Sequence, residues 1–225
     1  MLASPKVGVL GGGQLGRMLV EAANRLNVQM NVLDADNAPA KQISAHHDHV
    51  TGSFADRASL RKLAESCEVL TTEIEHVDTY ALEEVASEVK VEPSWKTIRT
   101  IQDKFQQKEY LSQFQIPMAE YRELRKSSIE ELTVIGEELG YPLMLKSKTQ
   151  AYDGRGKRSA SILADIIYDP AAGNYRVKSQ ADIPSALKAL EGRPLYAEKW
   201  ANFRMVGIRL FISGWKLLLI LQYRN

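Results

Sequence analysis

The stretch Gly11-Gly12-Gly13-Gln14-Leu15-Gly16 restricts the fold more than any other part of the chain. It is a G-x-G-x-x-G segment set between an apolar run, Lys6 to Leu10, and Arg17 to Leu26, where Met18, Leu19, Ala22, Ala23 and Leu26 recur at helical spacing. Strand, glycine turn and helix in that order expose backbone N–H groups at a helix N-terminus, where the dipole favours a phosphate or carboxylate. The competing reading is structural, since the same glycines would let a helix pack closely on a strand.

The alternation continues beyond this turn. Val28 to Leu33 reads as a second strand ending at Asp34, Leu60 to Ala64 as a helix, and Val69 to Thr72 as a strand ending at Glu73 and Glu75. Strands alternating with helices predict an α/β unit with a parallel, Rossmann-like sheet over residues 1–95. Pro93 and Trp95 mark a boundary, followed by one long helix with Ile98, Ile101, Phe105 and Leu111 on its apolar face. Ser127 and Glu130 have capping-box spacing, and Gly140 before Pro142 is a helix stop. Tyr141 to Lys146 then reads as a strand, Ser179 as the cap of a helix to Leu190, and Pro194 to Trp200 as another strand. A smaller α+β unit over residues 96–205 follows from this pattern.

Composition narrows the function classes. The 225 residues are 44% hydrophobic, enough for two cores, and 29 basic residues nearly balance 28 acidic ones. No broad basic field predicts a nucleic-acid or anionic-membrane partner. Cys67, the single cysteine, reads as a buried free thiol, and Met1 to Lys6 lacks the apolar core of a secretory signal, so a cytoplasmic protein is expected. The run from Phe211 to Leu221 is interrupted by Lys216 and is shorter than the roughly 20 residues a membrane helix needs.

Several residues are candidates for chemistry. Asp34 stands where a dinucleotide-binding fold places its ribose-binding acid, which keeps an NAD(P)-dependent oxidoreductase open. Glu73 and Glu75 lie at the C-terminal end of a strand, the ligand edge of open α/β sheets, or are solvated turn carboxylates. His46, His47 and His49 invite a metal reading, but only Asp48 lies nearby, and polar turn residues explain the run without a metal. In the second unit, Lys104, Lys146 and the glycine-rich turn of Tyr152, Asp153, Gly154, Arg155 and Gly156 supply the cations and N–H donors of a polyphosphate clamp. Glu198, Lys199, Trp200 and Ala201 end an extended segment suited to a nucleoside.

In this order, the glycine turn with Arg17-Met18, Thr71 to Glu75, Asp103-Lys104, Lys146, Tyr152 to Gly156 and Glu198 to Trp200 resemble carboxyaminoimidazole ribonucleotide synthetase, an ATP-grasp family of purine synthesis. Among its relatives the chain is most similar to the ATPase portion of fungal phosphoribosylaminoimidazole carboxylase, and the similarity runs from Lys6 to Met205 outside one internal segment. The resemblance implies a pre-ATP-grasp domain followed by a partial ATP-grasp domain. It also implies ATP with magnesium as cofactors, and aminoimidazole ribonucleotide and bicarbonate as substrates. It assigns ATP to Lys104, Lys146, Tyr152 to Gly156 and Glu198 to Ala201. The ribonucleotide falls to Gly11 to Gly16 and Glu73, and the magnesium ligands lie further along the family's sequence than this chain's similar region. A homodimer is compatible with this reading, as is a noncatalytic ribonucleotide-binding fragment.

Two departures bear on activity. Lys157 to Gly173 interrupts the family's passage from Gly156 to Asn174, and from Val206 to Asn225 the similarity ends where the family carries a ribose-binding glutamate. Gly156-Lys157 is encodable with a splice-donor-like GTAAG, Ala172-Gly173 with an acceptor-like CAG, and Val206 begins with GT. Both departures therefore read as retained intron sequence, giving a chain with little or no carboxylating activity. A true loop insertion is the competing reading, because surface loops accept added length cheaply. The tail is expected to be disordered or to adhere to exposed core.

Overall fold

Neighbouring residues of the first strand face different cores, and this sets the layering of the N-terminal unit. The computed structural model describes residues 5–149 and 173–201, and the backbone of 205–213 and 216–224. Two compact units, Met1–Phe114 and Gln115–Asn225, divide the chain.

In the first unit, β1 (Lys6–Leu10), β2 (Gln29–Asp34), β3 (Val50–Thr51), β4 (Val69–Thr72) and β5 (Lys90–Val91) form a parallel sheet in the order β3-β2-β1-β4-β5. Its helices are α1 (Gln14–Leu26), α2 (Pro39–Gln42), α3 (Arg57–Ala64), α4 (Thr79–Val85), α5 (Trp95–Gln102) and α6 (Lys104–Ser112). Val9 and Val32 bury against Val20, Ala23 and Ala40 of α1 and α2. Leu10, Leu33 and Leu70 bury against Leu60, Leu63, Leu82 and Ile98 of α3, α4 and α5. Each fully buried leucine contributes about 1.5–3 kcal/mol, so both sheet faces are held strongly. Since α1 and α4 cover opposite faces, the loops after β1 and β4 part at the sheet's C-terminal edge and leave a crevice between them.

The single long helix expected after Trp95 is two helices. Asp103 adopts an extended conformation (φ −107°, ψ 108°), and its carboxylate accepts from Phe105 N and Gln106 N, ending α5 and starting α6. Of the expected apolar face only Ile98 is buried. The boundary expected near Pro93 falls inside the first unit, at the turn from β5 to α5.

The second unit carries β6 (Tyr121–Leu124), α7 (Ile129–Leu139), β7 (Leu143–Ser147), β8 (Asn174–Val177), α8 (Ile183–Ala189) and β9 (Leu195–Lys199). Its antiparallel sheet runs β6-β9-β7-β8. One sheet face, with Leu143, Leu145, Val177, Leu195 and Ala197, buries against Leu132, Ile135 and Leu139 of α7 and Ile183 and Ala186 of α8. Ser179 and Asp182 form a reciprocal capping box, entered as a short 3-10 turn before α8. The cap of α7 lies one residue beyond the expected Ser127. Ser128 Oγ accepts from Glu131 N, while the Glu131 carboxylate accepts from the N–H groups of Arg125, Lys126 and Ser127.

Lys157–Gly173 falls between β7 and β8, and residues 157–172 lie outside the described residues. The strands on either side remain paired, with Lys146 opposite Asn174 and Ser147 N donating to Gly173 O at 2.8 Å. The tail, expected to be disordered or to adhere to exposed core, has the backbone of a hairpin, β10 (Met205–Ser213) with β11 (Lys216–Arg224). Its sequence includes Val206, Ile208, Phe211, Ile212, Ile220 and Tyr223, residue types that favour extended backbone.

Candidate functional site

The first candidate site is the turn after β1. Gly11 has φ +99°, a conformation open to glycine, and its N–H donates to Leu33 O at 3.1 Å. Gly12 donates its N–H to Asp34 Oδ2 at 2.6 Å, and Ala35 N donates to Asp34 Oδ1 at 2.6 Å. Gly13 then heads α1, with no side chain capping the helix. Glu73 follows β4, its N–H donating to Leu10 O at 2.9 Å. Its carboxylate lies on the turn: a Cβ built on Gly11 would sit 2.5 Å from Glu73 Oε2, and one on Gly13 would sit 3.5 Å from Oε1. An uncapped helix N-terminus beside a carboxylate suits a ligand carrying both an anion and hydroxyl or amine donors.

Asp34 occupies the position that a dinucleotide-binding reading assigns to a ribose, yet both its oxygens accept backbone N–H groups of its own loops. Its role is to hold the glycine turn to β2. Glu75 faces His76, with Oε1 and Nε2 4.0 Å apart, and Gln102 Nε2 clamps the carbonyls of Glu75 and Val77 at 2.6 and 2.8 Å. His49 serves the sheet: its Nδ1 accepts the Val32 N–H at 3.1 Å, and burial pushes its pKa below the ordinary histidine value. Burial likewise raises the half-buried Cys67 thiol, which makes it a poor nucleophile.

The second candidate site is the polar face of the β6-β9-β7-β8 sheet. Lys146 on β7 and Glu198 on β9 point away from α7 and α8 and pair at 2.9 Å. Lys199, one residue on, emerges on the other face and pairs with Glu120 at 2.7 Å. Trp200 lies beneath the guanidinium of Arg176, 4.2 Å from its ring centroid, and Ala201 is exposed. Tyr152, Asp153, Gly154, Arg155 and Gly156 lie outside the described residues. Lys104 belongs to the first unit, where its Nζ donates to Ile101 O at 3.0 Å. Arg176 gains its place from strand register, so spacing along the chain gave no sign of it, whereas Asp34 and His49 stand out in the sequence for other roles.

Among the described residues, no three His, Cys, Asp or Glu side chains converge as a metal site. Nor is any described helix long and apolar enough to cross a membrane.

A parallel α/β unit with a glycine turn, followed by an antiparallel sheet backed by two helices, is the architecture of the front part of an ATP-grasp protein. Residues 4–102 match the ribonucleotide synthetase preATP-grasp domain, and residues 109–211 match the ATP-grasp domain. Across these two matched regions the chain resembles the carboxyaminoimidazole ribonucleotide synthetases, which are ATP-grasp proteins. It is 49% identical over 203 residues to phosphoribosylaminoimidazole carboxylase of Saccharomyces cerevisiae, covering 89% of this chain and 33% of that protein. The N5-carboxyaminoimidazole ribonucleotide synthase of Staphylococcus aureus is 24% identical over 199 residues, covering 88% of this chain and 48% of its own. Carboxyaminoimidazole ribonucleotide synthase from Aspergillus clavatus, solved with ATP, superposes with a TM-score of 0.82 at 63% identity, covering 97% of this chain and 53% of that one. Another structure from that organism, with ADP and 5-aminoimidazole ribonucleotide, gives 0.83 at 60% identity, with the same coverage. The chain thus spans about a third of the fungal carboxylases and about half of the solved synthases.

Proposed function

We propose that this chain is the ATP-binding portion of an enzyme that carboxylates aminoimidazole ribonucleotide, using ATP and bicarbonate, in purine synthesis. The observation that carries the reading is the Lys146–Glu198 pair, at 2.9 Å, on the face of the second sheet that points away from α7 and α8. A paired lysine and carboxylate supply both needs of a nucleoside triphosphate, a cation for phosphate oxygens and an acceptor for ribose or adenine donors.

In this chemistry a bicarbonate oxygen attacks the γ-phosphorus of ATP and ADP leaves, giving carboxyphosphate. The exocyclic amine of the ribonucleotide then takes the carboxyl group, phosphate departs and the amine loses a proton. Phosphoryl transfer depends chiefly on positioning and charge stabilisation. Lys146 places its ammonium against phosphate oxygens and the backbone of Lys199 to Ala201 borders the base; the resemblance adds Lys104 and Tyr152 to Gly156 to the residues that meet ATP. In the first unit, the N-terminus of α1 takes the ribonucleotide's anionic group while Glu73 accepts from its hydroxyl or amine donors.

The chain as written is proposed to bind ATP with little turnover, because Lys157 to Gly173 separates the phosphate-covering turn from β8. Calorimetric titration with ATP and, separately, NADH tests the binding class: saturable ATP binding is expected, and NADH binding without ATP binding would overturn the reading. ADP release with aminoimidazole ribonucleotide and bicarbonate, measured for the chain and for a variant lacking Lys157 to Gly173, tests the second part. Full bicarbonate-dependent turnover by the unaltered chain would refute it.

A further inference from the structure

Arg176 has no part in the assignments above, yet it occupies the same sheet face as Lys146 and Glu198. Register sets Arg176 on β8 opposite Met144, and Met144 opposite Glu198 on β9. Met144 between them is only 8% exposed. The Arg176 guanidinium lies 4.2 Å from the centroid of the Trp200 ring, while its Nε is buried without a hydrogen-bond partner among the described residues. An aromatic face attracts a guanidinium through its quadrupole, and Arg stacks on such faces better than Lys. We propose that Arg176 is a positioning residue for the nucleotide base: by lying on Trp200 it fixes the indole at the end of β9, before the base arrives.

This inference rests on the proposed nucleotide site and deepens it. An indole free to rotate would have to be ordered during binding, and the lost rotamer freedom would weaken the complex. With Arg176 stacked on it, that ordering is complete in the free chain. The benefit belongs to the base alone, because the phosphates are met by Lys146.

The test measures equilibrium binding of ATP and of inorganic tripolyphosphate to the chain and to Arg176→Met, with melting curves as a fold control. Arg176→Met is expected to weaken ATP binding about threefold to tenfold and to leave tripolyphosphate binding unchanged. Arg176→Lys, which keeps a cation over the ring, should recover part of the loss, and Arg176→Gln serves as the uncharged variant should the Met protein fail to fold. Unchanged ATP affinity in the uncharged variant would overturn the inference, and so would an equal loss for both ligands, which marks a phosphate contact or general damage. An unaltered chain that fails to bind ATP overturns the nucleotide reading itself. Binding by the unaltered chain with an unresponsive variant overturns only the role of Arg176.

Discussion

Gly12 and Asp34 are tied across the mouth of the first sheet, the glycine N–H meeting Asp34 Oδ2 at 2.6 Å. The bond fixes the loop after β1 to the end of β2 and leaves the next amides, at the head of α1, facing out. Asp34→Ala is expected to destabilise the first unit by about 1–3 kcal/mol, because it removes a charged acceptor from backbone donors. Asp34→Asn, which keeps one acceptor oxygen, should lose less. Urea midpoints of the three proteins check the order, and equal stability of all three would contradict the tie.

Lys146 meets Glu198 with side chains only 30% and 16% exposed, so the pair is largely shielded from water, and removing the lysine would leave a mostly buried carboxylate without this cation. A second effect is expected on ligand. Lys146→Met should lower the melting temperature and, at a temperature where both proteins are folded, weaken ATP binding about tenfold to a hundredfold, the worth of a charge-assisted contact. A titration giving the same dissociation constant for both proteins would remove Lys146 from the site.

His49 makes the stability of the first unit depend on pH. Its Nδ1 accepts the Val32 N–H, which requires the neutral ring, and burial lowers its pKa in the folded chain. Unfolded, the ring titrates near its ordinary value of about 6.5 and binds the proton more readily than the folded ring. Stability contributed by neutral His49 is therefore fully present above that pH and declines as pH falls from it through the lowered folded value. Urea midpoints at neutral and mildly acidic pH should show the decline, and His49→Gln should flatten it. A pH slope identical in the two proteins would count against the mechanism.

Gly136 sits inside α7, where alanine normally strengthens a helix. Here a Cβ would lie 2.1 Å from the Tyr141 hydroxyl oxygen, whose burial leaves it without a hydrogen-bond partner. Gly136→Ala is expected to destabilise the second unit by about 1–3 kcal/mol through overpacking, against its helix propensity. Two ring carbons of Tyr141 would also lie 2.3 and 2.9 Å from that Cβ, so Gly136→Ala should cost less in a Tyr141→Leu background, where the ring is gone, than in the unaltered chain. Thermal melts in both backgrounds decide it.

The parts legible in the sequence were those with local causes. The apolar run Lys6 to Leu10, the glycine turn and the periodic residues to Leu26 specify β1 and α1 without help from the rest of the chain. Ser179 likewise announced its helix. The break at Asp103 escaped because apolar spacing continues across it, although Asp is a favoured N-cap and here accepts two amides. Helix α4 is hard to read for a related reason: its seven residues give too short a periodic signal, although Asp78 caps it by accepting from Tyr80 N and Ala81 N. The companions of the candidate sites, Asp34 on Gly12, His49 on Val32 and Arg176 on Trp200, are brought together across strands and loops. Pairings of that kind follow from register, which no window of sequence contains.

The crevice beside Gly12 and Glu73 exists because the chain leaves β1 and β4 toward opposite faces of the sheet, so its walls are a product of winding order. The side chains that hold the sheet, Leu10, Leu33 and Leu70, sit below the edge, while Glu73 and the turn glycines stand above it. Ligand preference and foldability are thereby written in different residues. A lineage, or an engineer, can rewrite the first at Glu73 and the turn while the leucines beneath preserve the second.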